Sequence, residues 1–456
     1  MKASDYFRGI TVEPTIFLNA LGLAFSALTV QNLLVQKTCY PDIQPPIALI
    51  CNDPLKVGEA TDILFARITL RSVLSAIAVP LLGSWRDATG KNRLLTYLAL
   101  VSEMVIAFMY LLSSWNWSIS PWIASITEAI LGGICGENIL HLVSTCVISE
   151  NSKPEDRTLR IQLNVVATLL GAGIGAAVNG FILTPIGYEW FFTIIIALNM
   201  MALIFAVIFV KDANRDLTVK KKWIFVEKLN YVFQTRPNNS VIWIMLVCVS
   251  LAGTFQSAEN NLLLYYLQQG FQFSMIETGL FGSYKLTICV LGAVIMTPVF
   301  MKVLKWSDFR VGIVCSFFTI LSSLCMILVK TKLQLYLLCL LDVLKMIPMS
   351  LPKSIISKCV PSDELGSFLG VGSVLGIILP FIVNYLYNTI FSATSSKMPG
   401  AFFIISAIGN FIVLILYSLS SCLFKDPSEK RLETTESVMD VGNWKHFDPE
   451  DKYKRF

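Results

Sequence analysis

The chain has 456 residues, of which 55% are hydrophobic and only 15% charged, and its mean hydropathy is +0.65. A water-soluble chain carries about a quarter of its residues as charges, so a soluble globular protein is excluded. The net charge of +5 is spread over short polar connections and not gathered on one basic face, which argues against a nucleic-acid polymer as partner.

Apolar runs long enough to cross about 30 Å of hydrocarbon recur along the sequence. They predict an all-α polytopic membrane protein with twelve spans: 14–36, 60–83, 94–114, 120–149, 158–183, 189–210, 241–268, 277–300, 311–329, 334–353, 366–390 and 401–424. The longest internal connection, 211–240, holds seven Lys/Arg against three acids. It reads as a basic linker between an N-terminal six-helix bundle, 1–210, and a C-terminal one, 241–424. Residues 425–456 turn polar without apolar periodicity and read as a disordered tail.

Taken in chain order, the polar residues inside these spans are the candidates for function, because ionisable groups in hydrocarbon are costly and face cavities or one another. Gln31 and Asn32 interrupt span one, and Cys39 and Cys51 follow it in a polar connection. Arg67 and Arg71, one helical turn apart in span two, could offer guanidinium groups to an anion. The alternative is snorkelling to headgroups, which suits Arg67 better than Arg71. Glu103 in span three and Glu128 in span four read equally as interhelical pairs or as packing residues. Glu137 and His141 share one face of span four, either as a proton-sharing pair or as a structural one.

"GAGIGAAVNG" (171–180) has the look of a nucleotide loop, but inside a span its small residues are better explained by close helix packing. Span seven is interrupted by Gln256, Glu259, Asn260 and Asn261, which suggests a broken or cavity-lining helix. Asp342 and Lys345 in span ten are three apart and read as neutralising each other. With two histidines, His141 and His446, and no CxxC pair, no metal site is expected. No GxxxxGK[ST] loop is present, so transport would be secondary and without ATP as cofactor.

Orientation follows the cations. With the N-terminus inside, the inner connections hold seventeen Lys/Arg and the outer ones five, which places both termini in the cytoplasm. The sequon at Asn116 then lies outside, open to glycosylation. Cys39 and Cys51 fall in an oxidising compartment and are expected to form a disulfide. The tail ends in Tyr453-Lys-Arg-Phe456, which resembles a tyrosine-based sorting signal and so points to sorting adaptors and an endosomal or lysosomal membrane, with the plasma membrane as the alternative.

Between spans two and three lies "GSWRDATGKNR" (83–93), a knot of charge and glycine in apolar surroundings. Gly83 and Gly90 are expected to supply the turn. Asp87 is expected to pair with Lys91 or Arg93, or with the positive end of a nearby helix, as a latch between rocking bundles. The spacing Gly83-x-x-x-Asp87-x-x-Gly90-Lys91 resembles the corresponding loop of the major facilitator superfamily, where it acts as a cytoplasmic gate. That resemblance implies the major facilitator fold. The matching loop of the second half, 302–310, has charge but lacks the glycines.

"EPTIFLNALGLAFSALTVQNLL" (13–34), "LLGSWRDATGKNRLL" (81–95), "GENILHL" (136–142), "RTLRIQL" (157–163) and "SKCVPSDELGSFLG" (357–370) together resemble solute carrier family 46, the proton-coupled folate transporter group. The resemblance implies carriage of a small organic anion, folate-, muropeptide- or cyclic-dinucleotide-like, with protons. It maps the acidic position of span four onto Glu137 and the substrate-linked cation of span ten onto Lys353. The proton-coupling glutamate of span five falls on Val165, and a span-seven histidine near Phe255.

The sequence therefore predicts a secondary transporter with Arg71, Lys353, Gln31 and Glu259 toward substrate, Glu137 and His141 toward protons, and Gly83, Asp87, Gly90, Lys91 and Arg93 at the gate. The missing coupling residues motivate an alternative, a transport-inactive receptor or scaffold that keeps the fold. An enzyme is not expected, because no nucleophile, metal or paired-carboxylate constellation emerges.

Overall fold

The computed structural model describes residues 12–47, 49, 54–213, 232–234, 238–273, 275–394 and 398–424. These form α1 (Glu13–Cys39), α2 (Pro54–Thr89), α3 (Asn92–Trp115), α4 (Pro121–Cys135), α5 (Glu137–Glu150), α6 (Pro154–Phe209), α7 (Asn239–Phe271), α8 (Met275–Pro298), α9 (Asp308–Ile327), α10 (Lys332–Leu338), α11 (Ile347–Cys359), α12 (Leu365–Thr394) and α13 (Phe403–Leu423). A π-helical turn, Val299–Val303, extends α8, and a 3-10 segment, Cys339–Leu344, leads toward α11. There is no strand among the described residues.

Among the described residues, eleven helical stretches are long and apolar enough to cross a membrane, one fewer than expected. The difference lies in α6, whose 56 residues run on where two spans were predicted. At 1.5 Å per residue it would measure about 84 Å if straight, against about 30 Å of hydrocarbon. It is broken instead at "TPIG" (184–187), where Pro185 removes a donor and Gly187 takes φ +83°, a left-handed conformation open to glycine. The two arms of α6 therefore serve as two passes.

Span four divides too. Gly136 leaves the helical region at ψ −153°, ending α4 and making Glu137 the first residue of α5. The pass from Lys332 to Cys359 is built from α10, the 3-10 segment and α11.

α13 turns an apolar stripe, Ile404, Ile408, Phe411, Ile415 and Leu419, outward, whereas its buried face combines the small residues Ser406, Ala407, Gly409 and Ser420 with Phe403, Val413 and Tyr417. That pattern suits a lipid solvent, where helices gain by close approach and not by hiding apolar surface. The small-residue run 171–180 does the same for α6. A Cβ on Gly171 would overlap the Phe17 carbonyl of α1, one on Gly175 would sit 2.7 Å from Ala24 Cβ, and one on Gly173 would overlap Leu286 of α8. Asn179 adds bonds to the Phe25 carbonyl at 2.9 Å and to Thr29 Oγ1 at 3.1 Å.

Candidate functional site: gate, cavity and intramembrane charges

The stretch expected to act as a gate is built where α2 ends. Gly90 has φ +70° and makes the turn, as its lack of a side chain allows. Gly83 does not turn. It lies within α2, and a Cβ there would overlap the Gly366 carbonyl oxygen at the start of α12. Its role is close approach, continued one turn deeper by Gly370, where a Cβ would lie 2.8 Å from Pro80 Cα.

That approach brings Asp87 onto the N-terminus of α12. Its carboxylate accepts from Gly366 N at 3.0 Å, Ser367 N at 2.6 Å and Ser367 Oγ at 2.9 Å. The first-turn amides of a helix are unpaired donors at the positive end of its dipole, so a carboxylate suits them. The neighbouring cation is not Lys91, whose side chain is exposed, or Arg93, which donates to the Val210 carbonyl at 2.8 Å. It is Arg86, fully buried, 3.0 Å from Asp87 Oδ1, 2.5 Å from Glu150 and 3.1 Å from the Ser362 carbonyl of the opposite half. The sequence hid this because helical periodicity, once α2 continues past Gly83, turns Arg86 inward and Lys91 outward.

The second half makes a matching contact without the glycines. Asp308 opens α9 and ion-pairs with Lys358 at 2.5 Å, while Thr158 of α6 donates to Asp308 at 3.1 Å and accepts from Lys358 at 2.8 Å. Arg157 donates to the Ser357 carbonyl and Ser350 to Gln162. At this end of the molecule the two halves are clasped together.

One to three turns deeper, a cavity of about 290 Å³ lies between the halves. His141 and Asn164 face it from the first half, Lys353 and Ser250 from the second, and Val165 lies on its wall. The Lys353 ammonium makes no hydrogen bond or ion pair among the described residues. His141 senses the charges of both Glu137 and Lys353. Of the residues expected to meet substrate or protons, then, Lys353 and His141 meet in one cavity.

The others lie elsewhere. Gln31 is exposed near the opposite end of α1 and does not line this cavity, whereas Asn32 accepts from Tyr188 Oη. Arg71 is held by Glu128 at 3.5 Å and Glu137 at 3.3 Å. Arg67 does not snorkel: it is buried against Glu128 at 2.6 Å, with Tyr110 Oη 2.6 Å from the same carboxylate. The close fit comes from "LGGICGE" (131–137). A Cβ on Gly132 would lie 3.2 Å from Arg71 Nε, and one on Gly133 would lie 2.8 Å from Leu74 Cβ.

Glu259 is engaged in the second half. It bonds Lys345 at 2.5 Å and Lys285 at 3.1 Å, and Lys285 lies 3.5 Å from Asp342. Asp342 and Lys345, expected to neutralise each other, are 3.8 Å apart and more closely tied to Lys285 and Glu259 respectively. Lys285 was missed because it stands alone in span eight, and only the tertiary fold pairs it.

Cys39 is disulfide-bonded, while its expected partner Cys51 lies outside the described residues, as do Tyr453 and Phe456. Asn116 is exposed just past α3, its side chain accepting from Ser118 N at 3.2 Å. No cluster of three or more metal-ligating side chains occurs among the described residues.

This arrangement agrees with comparisons to known proteins. The family model described as Major Facilitator Superfamily matches residues 60–382. The chain belongs to the major facilitator superfamily. It is therefore a multi-pass membrane transporter with a small-molecule substrate, not an enzyme.

Within the superfamily it is similar to solute carrier family 46. The Drosophila melanogaster protein named "Probable peptidoglycan muropeptide transporter SLC46" is 22% identical over 87% of this chain and 82% of its own length. The Homo sapiens protein named "Lysosomal proton-coupled steroid conjugate and bile acid symporter SLC46A3" is 23% identical over 67% of this chain and 68% of its own. Among solved structures, the human organic anion transporter MFSD10 (TETRAN) superposes with a TM-score of 0.67 at 15% identity, covering 89% of this chain and 97% of that one. The E. coli fucose:proton symporter FucP gives 0.61 at 13%, covering 89% and 98%. At these identities the structural likeness concerns the fold.

Proposed function

We propose that this transporter carries a small, amphipathic organic anion through the cavity by alternating access, with both termini in the cytoplasm and with protons as the coupled ion. The observation that supports it is Lys353: a cation with no counter-ion among the described residues, facing a cavity between the halves. Leaving an ammonium uncompensated in low dielectric is unfavourable, and an anionic substrate supplies the missing charge.

The walls narrow the class. Apolar side chains such as Leu142, Val249 and Met349 alternate with uncharged hydroxyls and amides, and Lys353 is the formal cation. One fixed positive charge on mainly apolar walls favours a singly charged amphipathic anion over a polyanion such as a cyclic dinucleotide. The volume, near the lower limit of about 300 Å³ for ligand pockets, suits a compact molecule. The names of the relatives, which mention steroid conjugates, bile acids and muropeptides, give the first compounds to try. Val165 removes the carboxylate that the family resemblance implies, which leaves the cavity more positive and favours a substrate that brings its own negative charge.

The test is uptake of labelled steroid sulfate, bile acid, muramyl dipeptide and reduced folate into proteoliposomes, with and without an inward proton gradient. Gradient-driven accumulation abolished by Lys353→Ala and retained in part by Lys353→Arg is expected. Uptake of none of them by folded protein, or uptake indifferent to Lys353→Ala, would falsify this reading. The first of those results favours the scaffold, which needs no cation in its cavity. Whether Tyr453-Lys-Arg-Phe456 directs the protein to lysosomes is read from the distribution of a Tyr453→Ala variant, which is expected to shift to the plasma membrane.

A further inference from the structure

The N-terminal half contains a buried charge cluster that does not balance. Two guanidiniums, Arg67 and Arg71 from α2, meet three carboxylates, Glu103 from α3, Glu128 from α4 and Glu137 from α5. Glu128 bonds both arginines, at 2.6 and 3.5 Å, and takes the Tyr110 hydroxyl at 2.6 Å. Glu137 bonds Arg71 at 3.3 Å. Glu103 is left over: it is 8% exposed, and its Oε1 has no hydrogen-bond partner among the described residues. It is nevertheless close enough for its charge to act on Arg71. The remaining packed elements offer nothing to offset it. The arm of α6 that packs on α3 has no acidic, basic or histidine side chain from Trp190 to Val210, the α1 cation Lys37 bonds Ser113 at 2.8 Å, ten residues along α3 from Glu103, and His141 on α5 faces the cavity.

A third buried carboxylate facing only two cations, both engaged elsewhere, is an expensive charge in hydrocarbon. We infer that Glu103 holds a proton while the gate is closed, and that this proton passes to Glu137 when the gate opens, as Arg71 changes its ion-pair partner from Glu137 to Glu103. The step is a swap. The proton leaves the Glu103 carboxyl and, carried by water, arrives on the Glu137 carboxylate. Arg71 turns the other way, leaving Glu137 and closing on Glu103. One proton changes carboxylates, no net charge enters the membrane, and no other reactant is needed.

The placement of the partners suits this exchange. Glu137 is the open member of the set, with 39% of its side chain exposed, next to the cavity-lining Asn138 and one turn before His141. Glu103 is the closed one. Arg71 shares α2 with Asp87, 16 residues or about 24 Å further along the same helix. Releasing Asp87 from α12 frees α2 to move against α3 and α5, and Arg71 travels with it. The cluster thereby links gate position to the site of the proton, which is what coupling requires. The other intramembrane cluster does not have this property: Glu259 and Asp342 face Lys285 and Lys345, charge for charge.

The purpose of the exchange rests on the transport reading above, but its test does not, since no substrate is needed. Purified full-length protein in lipid nanodiscs at neutral pH is measured by infrared difference spectroscopy. A protonated carboxylic acid has a C=O stretch distinct from the carboxylate bands. With the gate closed, Glu103→Gln is expected to delete one such band and Glu137→Gln to leave it. In an Asp87→Asn background, which unlatches the gate, the assignments exchange: Glu137→Gln now deletes the band and Glu103→Gln does not. Where Glu103→Gln protein does not fold, Glu103→Asp retains an acid and shifts the band in its place. A closed-gate band deleted by Glu137→Gln, or the absence of any band, overturns the assignment to Glu103. A band that stays on Glu103 in the Asp87→Asn background overturns the exchange. Failure of the uptake experiment with an intact spectroscopic exchange would instead place the fault in the choice of substrate.

Discussion

Asp87 is where a single substitution should move the whole molecule. Asp87→Ala removes three bonds to the N-terminus of α12 and the 3.0 Å pair with Arg86. Breaking one side of a buried ion pair costs about 3–5 kcal/mol. Glu150, 2.5 Å from Arg86, remains as a partner for the guanidinium, so the lower part of that range applies to the Arg86 side. The loss of the helix-terminal bonds is felt only in the closed state, since they join the two halves. Hydrogen bonds to a charged group are worth about 1.5–3 kcal/mol each, so even two of the three bonds to α12 give a bias of about 3 kcal/mol, a shift of about 150-fold in the closed-to-open equilibrium at 1.4 kcal/mol per factor of ten. The assay is alkylation of a Ser373→Cys probe by a membrane-impermeant maleimide applied from the gate end, in a background whose other exposed cysteines are replaced. Ser373 lines the central cavity and, among the described residues, bonds the Gly370 carbonyl of its own helix at 2.7 Å. Alkylation is expected to be slow in the parent and at least tenfold faster in Asp87→Ala. An unchanged rate, in protein with an unchanged unfolding temperature, would show that the Asp87 bonds do not hold the gate.

Other sites give independent checks. Gly83→Ala puts a methyl group onto the Gly366 carbonyl oxygen; overpacking of this kind costs about 1–3 kcal/mol, and the Ser373→Cys probe is expected to react faster with little change in Tm. Glu128→Leu leaves Arg67 and Tyr110 without their shared acceptor, at a cost of about 3–5 kcal/mol, so Tm in detergent should fall by several degrees, and an unchanged Tm contradicts a structural role. Gly292→Ala would drive a Cβ into the Val343 carbonyl and separate α8 from the 3-10 segment, with a loss of folded protein on size-exclusion chromatography as the expected outcome.

Much of this architecture was legible from sequence because the bilayer demands it. Apolar runs near 20 residues mark the passes whatever their tertiary partners, and the spans 158–183 and 189–210 were set apart around the point where α6 breaks, although the helix resumes at once. In the loop 83–93 the turn at Gly90 and the seat of Asp87 on a helix N-terminus were among the expectations. What the sequence could not provide was which way each polar residue turns. Gly83 looked like a turn residue until α2 proved to continue through it, which also exchanged Lys91 for Arg86 as the cation beside Asp87. Arg71 looked like a free guanidinium because its partners, Glu128 and Glu137, lie more than fifty residues away. Glu259 looked like a cavity residue for the same reason, with Lys285 and Lys345 supplied by other passes. Spacing along one helix predicts a shared face, but an ion pair between helices is fixed only by packing.

The distribution of charge among the three polar centres gives them different work. In the second half, Glu259, Asp342, Lys285 and Lys345 sum to zero and are nearly sealed from solvent. Such a cluster holds α7, α8 and the 3-10 segment in register, and it gains nothing by taking up or releasing a proton. The cavity carries one cation too many, Lys353, and the N-terminal cluster one acid too many, Glu103. An anion entering beside Lys353 and a proton on Glu103 each cancel an excess charge, and either alone leaves one uncancelled inside the membrane. Gate movement with both sites filled therefore moves the least net charge through hydrocarbon, where each unpaired charge is costly. This favours co-transport over exchange, and it predicts that a neutral analogue of the substrate, which leaves Lys353 uncancelled, will bind without accumulating.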